Sequence, residues 1–502
     1  MENSFWIINN QGESYPTLDK DIEIDYLIVG AGLTGLHTAY MLSKENKQTI
    51  VIESDKVGYG SSGRNTGKIT SSHGLIYENI SKKYGKEKAR LYYEANEDGL
   101  KLIKDIVKKY DIDCNFENLP NYIFTEDEDY LNQLKNEYKI CEKLQIPYEY
   151  LNSIEDFPLD IKGALKLDNQ AQFNSKKYMD SLAKVISEKG VEIYENTPVV
   201  GLEKHKDFYI AKTRNDKTIK AKSVVIASSN IWHDELGLYF TKEQAYRSYL
   251  TVSKLNKPIA KGMFINIEKP SKTVRTYTDG DKSYLVCGGF DHKTDIFNDI
   301  VEFAKNNFKI GTLEYKWSTQ DYITTDNIPY IGHISKDEPD IYIATGFCKW
   351  GISTSAVAGI VITDLILNNK SKYQELFAPS RTGSYLNLNY LKENTIMAYD
   401  YIKGKIKKGS MELDIQKEEG KVVVIDGDKY GAYRDKNGKL FVVDITCTHL
   451  GCELKFNSFE KSWDCPCHGS RFNYDGSILN GPALKPLKLL GMGDNDIDPD
   501  LV

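Results

Sequence analysis

The chain has 502 residues, 40% hydrophobic and 27% charged, the composition of a globular protein too long for one core, so about three packing units of ~150 residues are expected. Its net charge of −7, from 65 basic and 72 acidic residues, lacks the basic surplus of a nucleic-acid binder. The longest apolar run, Ala356 to Leu367, is interrupted by Thr363 and Asp364 and falls short of the ~20 residues a membrane span needs.

The first residues, MENSFWIINNQGESYP, have no basic region followed by an apolar one, so a standard export signal is not expected and a cytoplasmic location is. The cytosol disfavours disulfides, so clustered cysteines read first as metal ligands or redox groups. Cys114, Cys141, Cys287 and Cys348 have no spacing pattern and read as reduced packing residues. IEIDYLIVG predicts a buried strand, Leu33 to Ser43 a helix and TIVIE a second strand, together a βαβ unit. Residues 83–146 read as mostly helical, with Pro120 as a break. PVVGLEKH, DFYIAKT and TIKA predict a small antiparallel meander that leads into a buried strand, KSVVIASS. Residues 240–320 alternate and predict a second sheet, followed by IYIATGFCKWGIS and a helix from about Thr354 to Leu367. Residues 391–408 read as a helix striped with Ile396, Tyr399, Ile402 and Ile406, packed on the main body or, being basic, lying on a membrane. A separate β-rich domain follows Gly409.

GAGLTG sets Gly30, Gly32 and Gly35 in G-x-G-x-x-G spacing between strand and helix. The first glycine makes the tight turn, the second lets backbone approach a pyrophosphate and the third permits close helix–strand packing. The helix opens with Leu33 and Thr34, whose free N–H groups suit a phosphate. Glu53 ends the second strand, where a carboxylate can accept from ribose hydroxyls. Together these predict a dinucleotide site.

Further segments are VGYGSSGRNTGKIT, DNQAQFNSKKYMDSLAKVISEKGVEIYENTPV, WSTQDYITTDNIPYIG and IATGFCKWGIS. With them, most of residues 20–370 resembles the D-amino-acid-oxidase-like family of FAD-dependent oxidoreductases. The resemblance implies FAD, bound by an α/β, glutathione-reductase-like Rossmann domain interleaved with an antiparallel-sheet substrate domain. Within an oxidoreductase unit of residues 1–380, the FAD-binding parts fall at about 20–80, 150–235 and 320–370, and the substrate domain at about 81–149 and 236–319. It also implies Ser61, Arg64, Asn65, Thr66 and Gly67 near the flavin or its pyrophosphate, with a surface salt bridge as the other reading of Arg64. Val199 or Val200 would meet the adenine, and Ser228, Gly346, Lys349, Gly351 and Ile352 would also border the cofactor. Gly346 and Gly351 flank a loop feeding a helix N-terminus, whose partial positive charge, ~0.3–1 kcal/mol per nearby anion, would favour the anionic reduced flavin.

Half of the eight cysteines and two of the eight histidines lie in CTHLGCELKFNSFEKSWDCPCHGSRF, residues 447–472. Cys447-x-His449 and Cys465-x-x-His468 give one thiolate and one imidazole per loop. Structural zinc usually pairs like with like, whereas this set suits a two-iron centre with two thiolates on one iron and two imidazoles on the other; zinc is the alternative. CTHLGC, CPCHGS and GPAL (Gly481 to Leu484) resemble the loops of the Rieske [2Fe-2S] family. That resemblance implies an all-β Rieske domain at 411–502 behind a helical linker at 381–410, with Cys447, His449, Cys465 and His468 as ligands. It further implies a Cys452–Cys467 disulfide, with free thiols as the alternative. Relatives carry Tyr where Phe472 stands, its hydroxyl bonded to a ligand sulfur, while Ser470 is present.

A flavin takes two electrons and a Rieske cluster one. The two resemblances together imply an enzyme that oxidises an amine or amino-acid-like substrate at FAD and passes single electrons to an unidentified acceptor, with His449 and His468 as the exit edge. The alternatives are reverse flow, in which a partner reduces the cluster and FAD reduces a substrate, and a redox sensor without turnover. Arg275, in KTVRTYTDG, is a candidate for holding a substrate carboxylate or else a strand-edge surface charge. Lys349 is a candidate for binding substrate or steering oxygen, or a solvated loop lysine, and His73 and Cys348 are candidate points of covalent flavin attachment.

Overall fold

The computed structural model describes residues 4–10, 12–234, 238–289, 296–381, 394, 397, 415–425 and 427–493. The linker helix expected at 391–408 lies, apart from residues 394 and 397, outside the described residues.

The strand Ile22–Val29 is the centre of the first sheet. It runs parallel to Thr218–Ile226 on one side and Thr49–Ile52 on the other, and Ile341–Thr345 and Glu192–Tyr194 extend the sheet outward. Thr49–Ile52 and Ile341–Thr345 are buried along their whole length, which is why they read as unbroken apolar runs rather than alternating ones. The meander is Val199–Lys204 and Tyr209–Thr213, and its expected third strand continues without interruption into the sheet as Thr218–Ile226.

Helix Gly351–Asn368 crosses Leu33–Lys44 at Gly359, where a Cβ would lie 2.9 Å from that of His37. It crosses Lys86–Lys109 at Gly99, where a Cβ would lie 2.6 Å from the Ser353 carbonyl oxygen. Small residues thus let the helices that start beside the cofactor region pack tightly. The helix begins five residues before the apolar run read from sequence, and among the described residues it is long and apolar enough to cross a membrane; 67% of it is buried between its neighbours.

The second sheet has nine strands. Its order is Ile310–Thr324, Glu243–Leu255, Lys282–Gly289, Lys272–Asp279, Met263–Asn266, Glu117–Thr125, Gly163–Gln172 and Lys68–Ile69, with Tyr148–Leu151 beside Gly163–Gln172. It therefore recruits Lys68–Ile69 and Gly163–Gln172 from stretches read above as FAD-binding. Pro120 does not break a helix. It sits inside a strand, where a register shift between Leu119 and Asn121 accommodates the missing N–H. An N-terminal turn of helix, Phe5–Ile8, inserts the fully buried Trp6 against Leu250, Tyr277 and Trp317.

The C-terminal domain consists of two four-stranded antiparallel sheets. Gly420–Ile425, Asp428–Arg434, Leu440–Asp444 and Leu489–Gly493 form one; Lys455–Asn457, Ser462–Asp464, Arg471–Asn473 and Ile478–Asn480 form the other. Val443, Ile445, Trp463 and Phe472 pack around the four clustered cysteines.

Candidate functional site

A cavity of about 600 Å³ opens at the carboxyl ends of the first sheet's strands and runs beneath the second sheet. Gly30, Gly32, Leu33 and Thr34 form one wall, with Glu53 beside them. Gly30 has φ +113°, and a Cβ there would sit 2.6 Å from the Ala227 carbonyl oxygen. Gly35 lies behind the wall, its Cα packed on the Gly30 carbonyl with no room for a side chain. The Glu53 carboxylate accepts from the Ala31 N–H at 2.8 Å and the Asp55 N–H at 2.9 Å, so it shapes the turn it borders, while burial pushes its pKa up. The opposite wall is the start of Gly351–Asn368, through Gly351, Ile352 and Ser353. Neither this helix nor Leu33–Lys44 has a side-chain bond from its N-cap residue, so both present partially positive ends to the cavity. That is the cradle a dinucleotide's pyrophosphate and an electron-rich ring would use.

Of the other residues expected here, Ser61, Asn65, Thr66, Val199 and Ser228 line the cavity. Gly67, Val200 and Gly346 do not. Arg64 is also set back: its Nε donates to the Tyr59 carbonyl at 3.2 Å, and its own carbonyl accepts from Trp317 Nε1 at 2.8 Å. Lys349 lines the mouth, with its ammonium 3.6 Å from the centre of the Tyr246 ring and its N–H donated to Asp321 at 2.5 Å. Burial raises the Asp321 carboxyl to about 6.

Arg275 is neither a surface charge nor a cavity residue. It is fully buried between the Trp6 and Tyr277 rings, at 5.0 and 5.6 Å, with Nη2 donating to the Phe173 carbonyl at 3.4 Å. The N-terminal helix turn covers the strand face that the pattern left open. Both His73 ring nitrogens are engaged, Nδ1 with the Tyr92 hydroxyl at 2.8 Å and Nε2 with the Thr70 carbonyl at 2.7 Å, and the Cys348 thiol bonds the Gly346 carbonyl outside the cavity. His73, unlike Cys348, lines the cavity, its ring stacked on that of Trp350 at 4.7 Å.

Sequence reasoning missed two features. Lys68 lines the cavity yet is buried, its ammonium donating to the Phe264 carbonyl at 2.7 Å and to the Thr273 hydroxyl. Burial, and next the nearby Arg275 guanidinium, lower its pKa to about 7. It sits on a two-residue strand, too short for any period to reveal it. The other feature is the share the C-terminal domain takes in this cavity, whose wall its residues 478–481, 483 and 484 complete.

In that domain the Cys447 and Cys465 thiols hydrogen-bond each other. The N–H groups of His449 and Leu450 point at Cys447, and those of Cys467 and His468 at Cys465, an arrangement that favours thiolates. The His449 and His468 rings lie 5.1 Å apart, and their Nδ1 atoms are buried with no hydrogen-bond partner among the described residues. Burial pushes both imidazoles down, His468 to about 4, which keeps them neutral as ligands. Two facing thiols and two orphaned imidazole nitrogens are the donor set of a Rieske cluster. Cys452 and Cys467 form a disulfide whose sulfurs lie within 4.8 Å of Cys465 Sγ, so the bond braces a ligand loop.

The imidazole edge is partly covered by the main body, and both histidines stay half-buried. Phe240 of the main body meets His468 edge-on at 5.0 Å and His449 at 6.3 Å. Around it, Gln320 Nε2 donates to the Gly469 carbonyl at 2.9 Å, the Tyr322 hydroxyl donates to the Gly481 carbonyl at 3.2 Å, and Glu460 is held between Arg247 of the body and Arg471 of its own domain.

The sequence matches the family described as FAD dependent oxidoreductase over residues 25–365 and the Rieske [2Fe-2S] domain over residues 408–491. It is 37% identical to YhfW of Bacillus subtilis (strain 168), named as a Rieske 2Fe-2S iron-sulfur protein, across 97% of each chain. It is 22% identical to the gamma-glutamylputrescine oxidoreductase of Escherichia coli (strain K12), covering 72% of this chain and 88% of that one. The L-proline dehydrogenase structure from P. horikoshii superposes with a TM-score of 0.60 at 19% identity, covering 72% of this chain and 98% of that one. The backbone cradle and the two-thiol, two-imidazole pocket thus have their cofactors, FAD and a [2Fe-2S] cluster, and the chain belongs to the FAD-dependent oxidoreductase family as a member with a C-terminal Rieske domain.

Proposed function

We propose that this enzyme oxidises an amine or amino-acid-like small molecule and delivers the electrons one at a time, through its Rieske domain, to an acceptor. When bound, the flavin supplies two-electron acceptance and the cluster single-electron transfer. The observation that carries the reading is Gln320, which lines the cavity while its side chain holds the carbonyl of Gly469, the neighbour of His468. One residue thereby touches both cofactor regions.

Gly30, Gly32, Leu33 and Thr34 would hold the pyrophosphate, Glu53 the ribose and Val199 the adenine, while Gly351 and Ile352 would face the ring. Lys68, Ile265 and Thr273 border the part of the cavity beneath the second sheet. A lysine ammonium in so dry a setting is a strong partner for a substrate carboxylate. The Escherichia coli relative, named for an amine, supports the same substrate class.

The test is an oxygen-free screen of amines and amino acids that follows flavin and cluster absorbance together. Flavin bleaching followed by cluster reduction is expected. Flavin that responds only to a reduced electron-transfer protein would reverse the direction of flow, and a flavin that no small molecule reduces would overturn the reading.

A further inference from the structure

We propose that the Rieske-domain loop of residues 478–484 is a structural part of the FAD site, so that FAD and the docked domain hold each other in place. The inference rests on the reading of the cavity as the FAD site.

Ile478, Asn480, Gly481, Ala483 and Leu484 all line that cavity. Three cavity residues of the body grip the loop. A Cβ on Gly481 would meet the Asn230 side-chain amide at 2.1 Å, and the Gly481 carbonyl accepts from the Tyr322 hydroxyl at 3.2 Å. The Leu484 carbonyl accepts from Arg214 Nη2 at 3.2 Å. Within its own domain the loop is tied to the cluster: the Ala483 N–H donates to Ser470 Oγ at 3.1 Å, and the Ser470 hydroxyl bonds Cys447. A continuous run of contacts therefore joins a cluster ligand to the cavity wall.

A ligand that touches two bodies at once binds the docked form more tightly than the undocked one. By linkage, it biases docking by the same factor that docking adds to its affinity. A swing of the domain away from the body then carries a loss of FAD affinity, so the domain delivers electrons from where it sits rather than as a free carrier.

The wedge for testing this is Ala245→Arg in the full-length protein. Ala245 is not a cavity residue, yet Gly469 packs directly on its Cβ, so a long side chain there lifts the domain away. FAD affinity is read by ultrafiltration, docking by small-angle scattering, and cluster integrity by electron paramagnetic resonance. The expected result is an expanded particle with the cluster signal retained and FAD bound about tenfold or more weakly. An expanded particle with wild-type FAD affinity overturns the proposal. Hydrogen exchange of residues 478–484 in the wild-type protein, FAD-loaded against flavin-depleted, decides independently should the wedge unfold the chain or leave the domain docked. Slower exchange with FAD supports the proposal, and equal exchange overturns it. Gly30→Val separates the underlying reading: wild-type FAD affinity in that variant would mean that FAD lies elsewhere, whatever the loop does.

Discussion

The two cofactor sites are made of different materials. The FAD cavity has its cradle in backbone, a glycine turn and two helix starts whose N-cap residues make no side-chain bond, and its lining is gathered from segments as far apart as Val29 and Leu484. The cluster pocket is made of four side chains and a disulfide between residues 447 and 468. A backbone site tolerates most side-chain changes, provided that no Cβ intrudes. A ligand site can be lost through one atom. Cys447→Ser is the sharpest way to break the comparison, because a hydroxyl replaces a thiolate with only a small loss of size. Cluster iron and its paramagnetic signal should vanish while bound FAD remains. A surviving [2Fe-2S] signal would mean that the ligand set has been misassigned.

The same contrast explains what could be read from the sequence. The cluster loops are local and chemically dense, so their ligands stand out in a single stretch. The glycine turn is local too, and the strand and helix around it were found within a few residues: Ile22–Val29 and Leu33–Lys44. What escaped depends on segments far apart in the chain. Arg275 alternates like a strand-edge residue, and only the arrival of Trp6 from the N-terminal helix turn buries it. Pro120 reads as a breaker until its strand is seen to shift register beside Gly163–Gln172. That Phe240 of the main body packs against the histidine edge is likewise not legible in residues 447–472. Whether a cysteine ligates is decided by its near neighbours, whereas what covers a surface is decided by the whole fold.

Lys68 lies between these extremes, a buried side chain among the residues that line the cavity. Lys68→Met keeps most of the unbranched stem and removes the charge. Loss of a charge-assisted hydrogen bond worth about 1.5–3 kcal/mol should raise KM for a carboxylate-bearing substrate roughly 10–100-fold, with a smaller effect on substrates lacking the carboxylate. The pH dependence gives a second readout. Because the ammonium is held at about 7, it is charged below that value and neutral above it. KM for such substrates should therefore climb as pH rises through about 7 in the wild type, and this limb should be absent in the variant. Stability moves the opposite way. The cost of burying the ammonium is fully present below about 7 and is relieved as pH rises toward the ordinary lysine value of 10.5, so thermal stability should gain more over that window in the wild type than in Lys68→Met. An unchanged KM profile would return Lys68 to a purely packing role.

The smallest expected effect lies in the side-chain site, where even one added oxygen should register. Phe472 is fully buried in the cluster domain's core and pairs across the sheet with Trp463. Ser470 already gives Cys447 one hydroxyl contact. A tyrosine at 472 would offer a second donor to a ligand sulfur. Donors to sulfur stabilise the reduced cluster, which carries the greater negative charge, so Phe472→Tyr should raise its midpoint potential. A tenfold shift in the reduction equilibrium corresponds to ~60 mV for one electron. A redox titration monitored by electron paramagnetic resonance would resolve this, with FAD affinity as the internal control, since Phe472 does not itself line the cavity. A potential that stays level or drops would show that the phenylalanine was not withholding a hydrogen bond from the cluster.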